Sequence, residues 1–283
     1  MILFKEAAKL TAYLQQLRQD GACIGFAPTM GALHSGHISL IEKSKSIGDI
    51  TVSSIFVNPT QFNDPGDFEK YPVTLSNDIR LLETSGCDVL FLPSVTEIYP
   101  NGLGLPTRYE LGEIEFVLEG KYRPGHFQGV CQVVHRLLEI IKPHHLFMGQ
   151  KDYQQCLVVK KLLQLIDRQV ELITVPTYRE STGLAMSSRN LRLNGRQKEH
   201  ATGISKMLQY IKDNYTGKTS RDLEKYARDY LLATGFSKVD YVSIADGETL
   251  QPANGAETAE KRVALIAAFV GDIRLIDNEV LQD

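Results

Sequence analysis

The sequence predicts an α/β chain: a Rossmann-like parallel sheet with helices on both faces, plus a smaller C-terminal α+β domain. Three observations carry that expectation. Short apolar or β-branched runs alternate with helical periods as far as Pro176, the signature of βαβ crossovers. Beyond Pro176 the order changes to helices followed by successive strand-like runs. The 283 residues suit one large or two unequal domains. The expected division is 1–176 and 177–283, with the boundary at 176–178.

In chain order, Glu6–Gln19 reads as a helix ended by Asp20-Gly21. Cys23–Ala27 is a short apolar strand, and Ile38 and Ile41 mark one face of a helix over His37–Ser46. Asp49–Val57 is β-branched and strand-like. Leu75, Ile79 and Leu82 keep helical spacing before Gly86, and Asp88–Leu92 is a further strand. Tyr99–Thr107, rich in Gly and Pro, reads as a long surface loop. Val130, Val133, Val134, Leu137, Leu138 and Ile141 make a strongly periodic helix that stops at Pro143. His145–Met148 is a short strand, Tyr153–Ile166 a helix and Val170–Val175 a strand. A polar loop, Thr177–Asn194, leads into helices near Arg196–Asp213 and Arg221–Ala233. Strands are expected at Val239–Ile244, Arg262–Phe269 and Ile273–Asp277.

Composition sets the outer limits. Hydrophobic residues are 43% and charged residues 23%, enough apolar surface to exclude disorder of the whole. The formal net charge is −3, which disfavours non-specific nucleic-acid binding. The longest apolar run, Val263–Gly271, is far short of the ~20 residues that span a bilayer. The N-terminal residues have no basic stretch before their apolar ones, so no signal peptide is expected. Cys23, Cys87, Cys131 and Cys156 are widely spaced, which argues against a disulfide scaffold or zinc knuckle and for reduced thiols in the cytoplasm.

Five clusters are candidates for chemistry. Pro28–His37 (PTMGALHSGH) joins a strand to a helix, where backbone N–H groups attract anions. It is neither a Walker A loop nor G-x-G-x-x-G. His34 and His37 can both address one phosphate; two surface histidines, or metal ligands, are the alternatives. Asn58-Pro59-Thr60-Gln61 follows a strand and offers uncharged amides, although Asn-Pro also simply opens turns. Gly149–Gln155 places Lys151 and Asp152 at a helix start, either for a phosphate or as an ordinary cap. Arg179–Asn190 puts two hydroxyls beside an arginine at the domain junction, suited to a triphosphate tail or to a solvated linker. Lys121–His126 is a basic loop that rims an anionic site or is solvated. Convergence of four clusters on the carboxyl edge of one sheet is the stronger argument.

In these residues the chain resembles the pantothenate synthetase (pantoate–β-alanine ligase) family. PTMGALHSGH matches its version of the H-x-G-H signature of class I synthetase-like nucleotidylyl transferases. The likeness continues through SIFVNPTQF, DFEKYP, CDVLFLPSV, LEGKYRPGHFQGV, GQKDYQQ and GLAMSSRN, and is weakest beyond Asn194. It implies an AMP-forming ligase. ATP and pantoate would give pantoyl-adenylate and pyrophosphate, and the amine of β-alanine would then displace AMP. Magnesium would accompany ATP; no metal-ligand residue is assigned. Met30, Gly31, Ala32, Leu33, His34, Ser35, Gly36 and His37 would hold the nucleotide, with Gly149, Gln150, Lys151, Asp152 and Tyr178. Met186, Ser187, Ser188 and Arg189 would correspond to the KMSKS-like loop over the triphosphate. The implied catalytic set is His34, His37, Lys151, Ser187, Ser188 and Arg189. Gln61 and Gln155 would bind pantoate with help from Asn58, and Tyr71 and Glu119 resemble pocket residues. The resemblance also implies a homodimer. Departures fall at Gln150, Tyr178 and Val73, none of them a residue assigned to chemistry.

Two other functions compete: a nucleotidylyltransferase that keeps the nucleotide in its product, and a non-enzymatic adenine-nucleotide-binding domain. Both histidines, Lys151 and the Ser-Ser-Arg loop exceed what bare binding needs. The second domain is expected to act as a lid through its polar junction.

Overall fold

The structure, a computed structural model, describes residues 1–104, 107–252 and 261–282. The first domain contains β1 (Ile2–Phe4), α1 (Ala7–Gln19), β2 (Ile24–Thr29), α2 (Ser35–Lys45) and β3 (Ile50–Ile55). Then come α3 (Pro65–Glu69), α4 (Leu75–Thr84), β4 (Val89–Phe91), α5 (Val95–Ile98), α6 (Leu118–Tyr122) and α7 (His126–Ile141). It closes with β5 (His145–Gly149), α8 (Tyr153–Leu165) and β6 (Glu171–Val175).

These strands form one sheet in the order β1-β4-β3-β2-β5-β6, and every pairing in it is parallel. Strand residues alternate between two cores. Ile24, Phe26, Val89, Phe91, Leu146 and Met148 pack with α1, α7 and α8. Ala27, Leu90 and Phe147 pack on the other face with Leu40, Ile41 and Leu82. That period of two with both faces covered is what a parallel sheet requires. The strand order diverges between β2 and β5, which leaves a crevice at their carboxyl ends.

Besides the short helices α3, α5 and α6, which the sequence periods do not announce, the structure departs from the expected elements in two places. The strand β1 has no counterpart in the sequence pattern: at three residues it is too short to show a period, and it exists because β4 offers it a parallel partner. The stretch from Tyr99 is not wholly a surface loop, since Tyr99 is buried and donates its hydroxyl to Asn58 Oδ1 at 2.7 Å. Residues 105–106 of that stretch lie outside the described residues.

The second unit comprises α9 (Gly195–Asn214), α10 (Ser220–Ala233), β7 (Lys238–Asp246), β8 (Arg262–Val270) and β9 (Ile273–Gln282). Its strands form an antiparallel sheet, β7-β8-β9. One face of β8 (Ala264, Ile266, Ala268) packs with residues of α9 and α10. The other (Val263, Leu265, Ala267) packs with Tyr153 of the first domain, beside Ile114 and Val117. The unbroken apolar run of β8 follows from this: the strand is buried on both faces.

Polar contacts fasten the same junction. Glu119 takes a bidentate pair from Arg274 at 2.7 and 2.8 Å, and Arg274 Nε donates to Asp240 at 2.8 Å. Asp240 falls at a register shift of β7 between Val239 and Tyr241, where a bulge re-aims a side chain. Among the described residues no helix is long and apolar enough to cross a membrane.

Candidate active site

The loops after β2, β3, β5 and β6 meet the 186–189 loop around a cleft of about 220 Å³. Met30, His34, Gly36, His37, Asn58, Gln61, Gly149, Lys151, Asp152, Gln155, Tyr178 and Met186–Arg189 all line it. Four of the five sequence clusters therefore converge there, and Arg123 and His126 of the fifth join them.

The first wall is built at the end of β2. Gly31 and Ala32 have positive φ, +81° and +49°, which turns the chain before α2. The buried Asp78 carboxylate holds this turn by accepting from the Ala32 and Leu33 N–H groups at 2.9 and 2.8 Å. Thr74 donates to it as well. His34 caps α2, with Nδ1 accepting from the Gly36 N–H at 3.1 Å, and His37 Nδ1 accepts from the His34 N–H at 3.3 Å. The rings lie 4.1 Å apart. A Cβ on Gly36 would come within 3.0 Å of the His34 ring, so the residue between these imidazoles has to be small.

Those two bonds fix the tautomers. A ring nitrogen that accepts carries no proton, so each imidazole keeps its proton on Nε2. Burial lowers His34 to about 3, helped by His37 and Lys151. Burial also lowers His37 to about 4, again with Lys151 opposing charge. At neutral pH the pair is two uncharged N–H donors at a helix start.

Lys151 stands on a 3-10 turn after β5, with Nζ 3.4 Å from Asp152 Oδ1. The carbonyls of Gln150 and Lys151 both accept from Asn278 Nδ2 at 2.9 Å. Gln150, one of the sequence departures, donates to Asn278 Oδ1, so its side chain serves the domain contact. Gln155 faces the cleft, whereas Gln154 turns away to bond Glu119 N and the Ile114 and Val117 carbonyls.

The opposite wall carries Gln61. Its Oε1 accepts from Asn58 Nδ2 at 3.1 Å, and its Nε2 lies 3.0 Å from Met30 Sδ, a weak acceptor. Asn58 is buried and committed elsewhere: it accepts from Tyr99 and Thr60 and donates to Gly129 O. It therefore orients Gln61 from behind. Gly129 permits this packing, since a Cβ there would sit 2.1 Å from the Thr60 carbonyl oxygen. Val130, Val133, Val134 and Leu137 of α7 supply an apolar wall.

Arg123 and His126 brace Gln61. His126 Nδ1 lies 2.8 Å from Gln61 O and Nε2 lies 3.1 Å from Arg123 Nη1. Nδ1 must therefore donate to the carbonyl and Nε2 accept from the guanidinium. Burial and the Arg123 charge lower this imidazole to about 3. Lys121 of the same loop is exposed.

In the junction loop, Ser188 is buried and donates to the Ala32 carbonyl at 3.0 Å. Ser187 caps the following 3-10 turn. Arg189 pairs with Asp67 and lies 5.9 Å from the centre of the Tyr71 ring. Half-exposed Tyr178 lines the cleft, while Val73 points to solvent. All four cysteines are free.

Sequence reasoning missed Asp78, Asp67 and the Arg274 pair. Asp78 has no local signal for this role, because the two backbone N–H groups it holds lie 45 and 46 residues away.

The likeness to known proteins runs the length of the chain. A family model described as pantoate-beta-alanine ligase matches residues 2–280. The chain is 42% identical to the pantothenate synthetase of Leptospira biflexa over 99% of both chains. It is 42% identical to that of Bacteroides fragilis over 95% of both. A pantothenate synthetase structure from Thermus thermophilus is 37% identical and superposes with a TM-score of 0.92 over 100% of both chains. A Francisella tularensis pantoate-beta-alanine ligase, solved with beta-gamma ATP and beta-alanine, is 39% identical with a TM-score of 0.84. That match covers 99% of this chain and 98% of the other.

Proposed function

The chain belongs to the pantoate–β-alanine ligase family, and we infer from its cleft how its own residues divide the work of that reaction. The protein is an ATP-dependent ligase that joins pantoate to β-alanine to give pantothenate, AMP and pyrophosphate. On our reading the pantoate carboxylate attacks the α-phosphorus of ATP and pyrophosphate leaves. The amine of β-alanine then attacks the acyl carbon of pantoyl-adenylate, AMP leaves, and the amine loses a proton.

One observation carries this assignment. Two neutral Nε2–H donors and Lys151 share one cleft with Gln61 and Gln155. Charge grows on the phosphate oxygens during transfer, and fixed donors there lower the barrier without reorganising. His34 and His37 would supply those donors as Nε2–H hydrogen bonds, and Lys151 a point charge. Met30–His37, Gly149–Asp152 and Tyr178 would hold the nucleotide, and Met186–Arg189 would close on its phosphates. The amides Gln61 and Gln155 would hold pantoate without a competing charge, with Asn58 fixing Gln61.

Magnesium would enter with the triphosphate as its main ligand and neutralise phosphate charge. Asp152, in the cleft beside Lys151, is the carboxylate that would reach it. We further propose that residues 1–176 form the nucleotide- and pantoate-binding domain and 177–283 the closing domain. The family likeness carries a homodimer with it, and free cysteines suit the cytoplasm.

The test is isotope exchange. With ATP, magnesium and pantoate but no β-alanine, labelled pyrophosphate should enter ATP, and omission of pantoate should abolish it. Lys151→Ala should suppress the exchange. Exchange without pantoate, or exchange that strictly requires β-alanine, would reject the adenylate route.

A further inference from the structure

Asp67 lies on the first turn of α3, in the segment after Gln61, and does not itself line the cleft. Its two carboxylate oxygens take one edge of the Arg189 guanidinium. Oδ2 is 2.5 Å from Nη2 and Oδ1 is 3.3 Å from Nε. Arg192 Nη1 reaches the same Oδ1 at 3.3 Å, while its Nη2 is engaged by Asp272. Arg189 lines the cleft and is largely buried, its side chain 23% exposed.

The Nε/Nη2 edge that Asp67 occupies is one of the two that a guanidinium offers to a phosphate in a two-point contact. A carboxylate and a phosphate cannot both hold it. Asp67 also offsets one of two arginine charges: with Asp272 on Arg192 the four side chains are neutral as they stand and would be +1 without the Asp67 carboxylate. The arginines hold the Asp67 carboxyl below its usual range against the effect of burial, so the charge is present at neutral pH.

We propose that Asp67 is a positioning residue that competes with phosphate oxygens for Arg189, and so limits how tightly the cleft retains pyrophosphate after adenylate formation. The proposal rests on the reading of Arg189 as a phosphate-side group. As pyrophosphate departs, Asp67 takes back the guanidinium edge, so release does not strand a buried, unpaired charge.

The measurement is product inhibition by pyrophosphate during pantothenate formation. Asp67→Asn should lower the inhibition constant about tenfold, the scale of one charge-assisted hydrogen bond, and leave the KM for β-alanine unchanged. Asp67→Glu should return the constant towards that of the parent. Asp67→Ser provides the same reading should the Asn variant fold poorly. A purely structural role would weaken pyrophosphate binding, so an unchanged or higher constant in both uncharged variants overturns the proposal. Arg189→Met should abolish most of the inhibition. Inhibition that survives in that variant would reject Arg189 as a phosphate group, whatever Asp67 does.

Discussion

The cleft and the domain junction both bury ionisable side chains, and they resolve the cost of burial in opposite ways. At the end of β2, His34 and His37 have no carboxylate partner in hydrogen-bonding contact among the described residues. Burial and Lys151 keep them neutral. At the junction, Glu119 is equally enclosed, but Arg274, Arg123 and the Tyr241 hydroxyl hold its carboxyl down at about 2. Burial favours the neutral form unless an opposite charge is built in beside the group. The difference teaches what each region is for. Uncharged donors suit a site that takes a charged ligand, whereas matched charges compensate one another where the antiparallel sheet packs on the first domain.

The strongest way to break the comparison is Arg274→Met. It leaves Glu119 and Asp240 buried with reduced compensation, which should cost about 3 kcal/mol or more of stability, read from urea unfolding. A loss under about 0.5 kcal/mol, the scale of exposed pairs, would mean that the network does not fasten the domains. His37→Ala comes next. It should lower kcat at least ~100-fold, the scale of one preorganised donor, with little change in folding stability. A rise in the KM for ATP at unchanged kcat would place His37 in ground-state binding instead.

The smallest effect is also the most discriminating. The unfolded chain binds protons at histidine near pH 6.5, whereas folded His34 and His37 wait until about 3 and 4. Acidification from 6.5 towards 4 therefore favours the unfolded state. Glu119 is lowered too, from 4.5 to about 2, but by its charge partners against the effect of burial. Its contribution is complete above 4.5 and is lost as pH falls through 2. Urea unfolding across pH should show both declines. Arg274→Met should keep the upper decline and flatten the lower, and an upper decline that disappears in this variant would mean that the two regions are not separate.

The layering was legible because it repeats. Alternating strand and helix periods mark β2, β3, β5 and the helices between them, and the loops at one sheet edge follow from that order. The glycine-bearing HSGH turn marked the first wall, and family likeness marked Gln61 and Lys151. Asp78, Asp67 and Arg274 were not legible. Each takes its role from a partner far along the chain: 46 residues for Asp78 with Ala32, 122 for Asp67 with Arg189 and 155 for Arg274 with Glu119. Local spacing contains no record of such pairs. The basic loop Lys121–His126 was legible only as an alternative, because nothing in its composition says that Arg123 and His126 turn inward while Lys121 does not.

The Asn278 amide that holds the Gln150 and Lys151 carbonyls lies 127 residues beyond the lysine. During synthesis at roughly 5–20 residues per second, that interval lasts about ten seconds. For that time the nascent chain carries both histidines and Lys151 without the strand that sets the lysine turn. A complete cleft is therefore a late event in the birth of the protein, and contacts of such long sequence separation also slow refolding in the test tube. A ribosome-stalled chain ending before β9 should be markedly poorer at retaining ATP than one extended through it.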